Sequence, residues 1–165
     1  MQMVSNTSPL SALSIIGRLG LLRAQFGTIR IPNAVWTELS RLEHVSGKQA
    51  LEQAHAAGWI EVHETANRSM VGILGVTLDA GEPEASALSL EWPADPLIMD
   101  ESSGRAMARN LKIWITGTPG LLLKAKHNGE IPSLKFEMDR LVQEAGFFVS
   151  DRVRNTFLAE AGENP

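Results

Sequence analysis

Apolar positions along this chain switch period repeatedly, and each switch marks a predicted element. Residues 1 to 5 read as a short strand that ends at Asn6-Thr7-Ser8-Pro9. That quartet reads as a helix start, with a capping side chain and then Pro in the first turn. Leu10, Leu13 and Ile16 follow at helical spacing, Gly17 and Gly20 interrupt, and a second short helix carries Leu21, Leu22 and Phe26. Ile29-Arg30-Ile31 is a strand stopped by Pro32. Residues 33 to 43 place Val35, Leu39 and Leu42 on one helical face, and Gly47 to Ala57 form a further helix closed by Gly58.

Residues 59 to 63 alternate as a strand does. Residues 64 to 76 fit no single pattern, a short helix around Met70, Ile73 and Leu74 being one reading. Residues 81 to 91 predict a helix with acids in its first turn, which suits the helix dipole. Pro93 and Pro96 bracket a turn before a strand at 97 to 99, and residues 102 to 110 are helical. Lys112 to Ile115 read as a strand, followed by Gly, Pro and a helix from Leu121 to His127. Residues 133 to 145 and 151 to 161 are closing helices.

Strands alternating with helices favour a mainly parallel sheet with helices on both faces, an α/β fold. Ligands of such sheets collect beyond the carboxyl ends of the strands. Asn6, Asp100 and Thr116 each follow a predicted strand, so they are expected at one edge of one sheet.

Composition narrows the class. At 165 residues, with 44% apolar and 21% charged positions, the chain is expected to be a single globular domain over residues 1–165. Nineteen acids against fifteen Lys and Arg give a net charge of −4, which argues against a strongly basic nucleic-acid binder. It leaves room for a local basic rim, or for an acidic pocket made usable by metal. With five Phe, four Trp and no Tyr, stacking platforms are poorly supplied. No apolar run reaches the ~20 residues of a membrane helix. The first residues carry no secretory pattern. The lack of Cys excludes disulfides and thiolate metal sites and fits a cytoplasmic protein.

Candidate chemistry centres on acids. Glu38 lies on the 33–43 helix, Glu82 and Glu84 open the 81–91 helix, and Asp100 and Glu101 end the strand at 97–99. Grouped carboxylates repel one another, and Mg²⁺ or Mn²⁺ relieves that repulsion with the oxygen ligands it prefers. With a phosphate substrate, such an ion generates the nucleophile and steadies the leaving oxygen. Each acid also has a plainer role. Glu38 fits a solvated helix face, Glu82 and Glu84 fit dipole partners, Asp100 fits a cap of the following helix, Glu101 fits a surface position, and Asn6 fits the cap of the first helix. Arg105 and Arg109, four apart, suit nucleic-acid phosphates or a solvated face. Thr116-Gly117-Thr118-Pro119-Gly120 fits a phosphate cradle or a turn with a Thr cap, without Walker A spacing. The four His show no metal spacing, and no Ser sits in a G-x-S-x-G setting.

On these residues the chain resembles the PIN-domain superfamily, and most closely a prokaryotic PIN-like branch related to the toxin ribonucleases of VapBC modules. The resemblance runs from about Val4 to Ala161 through "SNTSPL", "GRLGLL", "IPNAVWTEL", "AGWIEV", "LDAGEPEASALSLE", "LIMDESSGRAMA", "ITGTPGLLLKAK" and "GFFVSD". It implies a three-layer α/β/α fold with a central, mainly parallel sheet of four to five short strands. It implies hydrolysis of RNA by acids around Mg²⁺ or Mn²⁺. Catalytic roles then fall to Asp100, Glu84 and Glu38, and metal contacts to Asn6, Glu38, Glu82, Glu84, Asp100 and Thr116. Arg105 and Arg109 would contact RNA. An antitoxin protein and a homodimer are the implied partners. Asn6 departs from the Asp usual in active members, since an amide oxygen can ligate a hard cation without bringing charge. The competing expectation is a PIN-like module that binds nucleic acid or protein with weak or no catalysis. A more distant one is a small phosphate-ligand domain built on the 116–120 turn.

Overall fold

The computed structural model describes residues 2–79, 81–93 and 95–165. Met1 of the predicted first strand and Ala94 of the predicted Pro93–Pro96 turn lie outside them. Among the described residues, five parallel strands carry ten helices. In chain order these are β1 (Gln2–Ser5), α1 (Thr7–Ile15), α2 (Gly20–Phe26), β2 (Thr28–Pro32), α3 (Asn33–Ser40), α4 (Val45–Ala56), β3 (Ile60–His63) and α5 (Arg68–Leu74). Next come α6 (Glu82–Glu91), β4 (Leu97–Ile98), α7 (Ser102–Asn110), β5 (Ile115–Thr116), α8 (Thr118–His127), α9 (Leu134–Ala145) and α10 (Asp151–Glu160).

The strands lie in the order β3-β2-β1-β4-β5. The chain builds outward from β1 in one direction and then, from β4, in the other. Strand order therefore reverses between β1 and β4, and a crevice opens beyond their carboxyl ends at such a point. Asn6 follows β1 and Asp100 lies just past β4, so both stand at that crevice.

Strand alternation sends neighbouring side chains to opposite faces. Met3, Ile29, Ile31, Ile60 and Ile98 join the larger core with residues of α1 to α4 and α8 to α10. Val4, Leu97 and Met99 point the other way, against Ala85 and Leu88 of α6 and Ala108 of α7. The register pairs Val4 with Leu97 and Ser5 with Ile98, which keeps each face continuous across the reversal point. The result is the three-layer α/β/α arrangement that the family resemblance implied.

Several boundaries differ from the sequence expectation, each for a local reason. The helix predicted over 33–43 ends at Ser40, because His44 starts α4 by accepting the Gly47 N–H on its Nδ1 at 3.0 Å. The strand predicted over Lys112–Ile115 begins only at Ile115, since Lys112 has φ +58° and closes the turn after α7. Thr116 is therefore in β5 rather than after it. Helix α8 starts three residues early, at Thr118, because a carboxylate from elsewhere in the chain caps it.

Helix α7 must pass close to Met99 to hold the next residue in place. Gly104 permits that approach: a Cβ there would lie 2.0 Å from the Met99 sulfur, and Met99 is fully buried. Gly104→Ala is expected to lower stability by about 1–3 kcal/mol, the usual range for overpacking a filled core, as read by thermal or urea unfolding.

Candidate active site at the strand ends

The acid site grows from the turns after β1 and β4. Asn6 sits at the start of α1 with extended φ and ψ, but its side chain makes no capping bond. Instead its Nδ2 donates to Glu101 Oε2 at 3.1 Å, while its N–H donates to the Ile98 carbonyl at 3.1 Å. Asn6 is 3% exposed, and its Oδ1 is buried without a hydrogen-bond partner among the described residues. The amide cannot be turned around profitably, because Oδ1 would then face a carboxylate.

The next two hydroxyls hold two more acids. Thr7 Oγ1 donates to Glu38 Oε2 from α3, and Ser8 Oγ donates to Glu101 Oε1 at 2.5 Å. Glu38 Oε1 also accepts the Gly81 N–H at 2.7 Å. Gly81 is an internal junction of the cluster. A Cβ there would lie 3.3 Å from Glu38 Oε1 and 3.5 Å from Asn6 Oδ1. Glu82 follows at once, 6% exposed, with Oε2 buried and unpartnered among the described residues. Its carboxyl pKa is raised, first by burial and then by the charge of Glu101, with Asp79 and Glu38 adding repulsion.

Asp100 lies beside this group and is tied to a different element. Its Oδ1 accepts the Thr118 N–H at 2.7 Å and its Oδ2 accepts the Thr118 hydroxyl at 2.6 Å. Asp100 thus caps α8, not the helix that follows it in sequence. Burial pushes its carboxyl up to about 6; the bonds from Thr118 oppose that rise, the charge of Glu101 adds to it and Arg105 opposes it. The Thr118 donor that a phosphate would use at this helix start is already taken, which weakens the reading of 116–120 as a free phosphate cradle.

The predicted site residues therefore divide. Asn6, Glu38 and Glu82 come together at the crevice, with Asp100 adjoining. Glu84 lines a second cavity of about 430 Å³ with Asn33, His63, Glu64 and Arg68, which none of the other candidate ligands lines. Thr116 and Arg105 line a cleft on the far side of Asp100. Arg109 is exposed in the last turn of α7. Glu101, expected at the surface, is half-buried and turned back onto Asn6 and Ser8. Its adjacency to Asp100 was visible in the sequence. Its direction was not, because that depends on the extended φ and ψ of −65° and 133° at the start of α7.

The donors are all oxygens, two of them orphaned, and that chemistry suits a hard divalent cation. The orphaned Asn6 Oδ1 and Glu82 Oε2, with Glu38 and Glu101, are the groups that would hold it. Among the described residues, however, no three Asp, Glu, His or Cys side chains are grouped so as to hold a metal ion in this arrangement. Binding would draw the carboxylates inward from their present hydroxyl and amide partners.

A direct consequence concerns Glu82. Glu82→Gln removes a buried charge and supplies an amide to neighbouring carboxylates. In chelator at neutral pH the variant is expected to be more stable than the parent chain by about 1 kcal/mol or more. Calorimetric Mn²⁺ binding should weaken about tenfold or more. A loss of stability in chelator would show that Glu82 is an ordinary structural residue.

Among the described residues, no helix is long and apolar enough to cross a membrane. A family model described as a PIN domain matches residues 2–163. No curated protein matches the chain.

Proposed function

The chain belongs to the PIN-domain family, and from that premise we propose that it is a Mg²⁺- or Mn²⁺-dependent ribonuclease working at the strand-end acid cluster. The observation that carries this reading is the meeting of Asn6, Glu38, Glu82 and Glu101 at the reversal point of the sheet, with an oxygen of Asn6 and one of Glu82 buried without partners among the described residues. Oxygens in that state call for a hydrogen-bond donor, from water or protein, or for a cation.

Asn6, Glu38, Glu82 and Glu101 would hold the ion, with Asp100 at its edge. When bound, a divalent ion supplies charge neutralisation at the phosphate and activation of water. The chain's own groups do the rest. Arg105, on the cleft side of Asp100, binds and orients an RNA phosphate. Asp100, with its carboxyl near 6, holds or releases a proton close to neutral pH. Thr7 and Ser8 fix Glu38 and Glu101 so that both face the crevice. Glu84 and Thr116 stand outside this inner group; Glu84 would act only from its own cavity and Thr116 from the cleft. Arg109 extends the RNA contact along α7.

In the cell this reading makes the chain a cytoplasmic toxin ribonuclease restrained by an antitoxin, with a homodimer as its working form. One observation favours the second reading, a binding module with little or no turnover: among the described residues the acids do not stand in metal-holding positions, and Asn6 brings no charge. The deciding experiment pairs Mn²⁺ titration by calorimetry with cleavage of labelled single-stranded RNA. Ion binding with Mn²⁺-dependent cleavage supports the ribonuclease. RNA binding without cleavage at any Mn²⁺ concentration establishes the binding module.

A further inference from the structure

Beyond Asp100 lies a cleft of about 460 Å³ that the acid cluster does not use. That volume is within the range of small-ligand sites. One side is the start of α8. The other is the segment after α9, which ends in left-handed Gly146 at φ +62°. That glycine turns the chain back, with the Phe147 N–H on the Leu141 carbonyl at 3.0 Å, and aims the following residues at α8.

The lining has three chemistries at once. Phe147, Phe148 and Phe157 line the aromatic side of the cleft, its wall. Phe147 and Phe157 pack against the main core, whereas Phe148 is 87% exposed. Arg105 supplies a cation whose Nη1 bonds the Met99 carbonyl at 3.0 Å. Gly117 leaves the floor bare: a Cβ there would lie 3.0 Å from both Arg105 Nη1 and Asp100 Oδ1. A flat ring face, a guanidinium and a side-chain-free floor beside a carboxylate suit a ligand that is planar, aromatic and anionic.

We propose that this cleft receives one unstacked base of single-stranded RNA, stacked on Phe148, with the adjoining phosphate on Arg105. The inference rests on the ribonuclease reading and names the form of RNA the site takes. Duplex RNA keeps its base faces covered and cannot offer one to the wall. A base held here places its phosphate toward Asp100, because Arg105 and Asp100 flank the same glycine. An apolar protein segment would fill the wall but bring the guanidinium no anion beyond the neighbouring Asp100, which is why RNA is favoured.

The test uses the full chain and a labelled short single-stranded oligoribonucleotide, with Ca²⁺ as the only divalent ion, read by fluorescence anisotropy. A duplex of the same sequence serves as control. Phe148→Ala is expected to weaken single-strand binding about tenfold or more, with duplex binding little changed and Phe148→Trp restoring the affinity. Unchanged binding by Phe148→Ala overturns the proposal. So does an equal loss on duplex and single strand, or an effect confined to self-association in sedimentation, which would mark a protein contact. Mn²⁺-dependent cleavage separates the two readings. Cleavage that ignores Phe148 overturns the base site alone. Phe148-dependent binding by a chain that never cleaves supports the base site and overturns the nuclease.

Discussion

Asp100→Asn is expected to lower Mn²⁺-stimulated RNA cleavage about a hundredfold or more while the fold survives. The structural half of that expectation follows from the two bonds to Thr118. Asn is the same size, and its Oδ1 can still accept the Thr118 N–H while its amide donates to the Thr118 hydroxyl. Helix α8 keeps its cap. What disappears is the charge, and with it the group that titrates near 6. Cleavage equal to that of the parent chain would remove Asp100 from the mechanism.

The same substitution has a pH signature. The folded Asp100 carboxyl sits at about 6, above its ordinary value of 3.8. A raised carboxyl favours folding while it is protonated. That contribution is complete below about pH 4 and is lost as pH rises through about 6. In chelator, this group should make the parent chain less stable at pH 7 than at pH 4.5, by an amount on the order of 2 kcal/mol. Asp100→Asn should remove that part of the slope. Urea unfolding at a series of pH values measures it, and an unchanged slope in the variant would assign the effect to other groups.

Asn6→Asp is expected to move stability and activity in opposite directions. In the present arrangement the Asn6 amide donates to Glu101 at 3.1 Å, doing locally what a cation would do. Aspartate has no proton to donate at neutral pH. It would leave Glu101 Oε2 without this donor and add a charge near Glu38 and Glu82. In chelator the variant should lose about 1–3 kcal/mol of stability. Mn²⁺ should recover that loss, because the site then offers one more anionic ligand. Cleavage should rise about tenfold or more, equivalent to about 1.4 kcal/mol of barrier. A variant that gains metal affinity without gaining cleavage would favour the binding-module reading. One that gains neither would place the ion elsewhere.

Much of the fold was legible in the sequence because local patterns determine local elements. Alternation marked β3, Asn6 through Pro9 marked the start of α1, and the acid-rich first turn marked α6. The repeated order of strand and helix implied the parallel sheet, and the quoted blocks implied the family, which the match over residues 2–163 bears out. Short elements were the least legible. Strands β4 and β5 have two residues each, too few for any period, and their ends are set by pairing with β1 and with each other.

The site was legible as an inventory and not as an arrangement. The residue types, their place after strands, and the anomaly of Asn at position 6 all stood in the chain. Which of two neighbouring acids faces inward depends on how their element is rotated against the sheet, which the chain pattern alone does not give. Glu82 and Glu84 share the first turn of α6, and each has a buried oxygen without a partner among the described residues, yet one lies near Glu38 and Glu101 while the other lines a cavity with Arg68. Asp100 and Glu101 are adjacent, yet one caps α8 and the other meets Asn6. Periodicity and residue chemistry act between neighbours in the chain, so the sequence by itself determined the elements, the family and the list of oxygens. Charge repulsion, burial and hydrogen-bond competition act between groups as distant as positions 6 and 101, so only the tertiary structure decided which oxygens share the crevice.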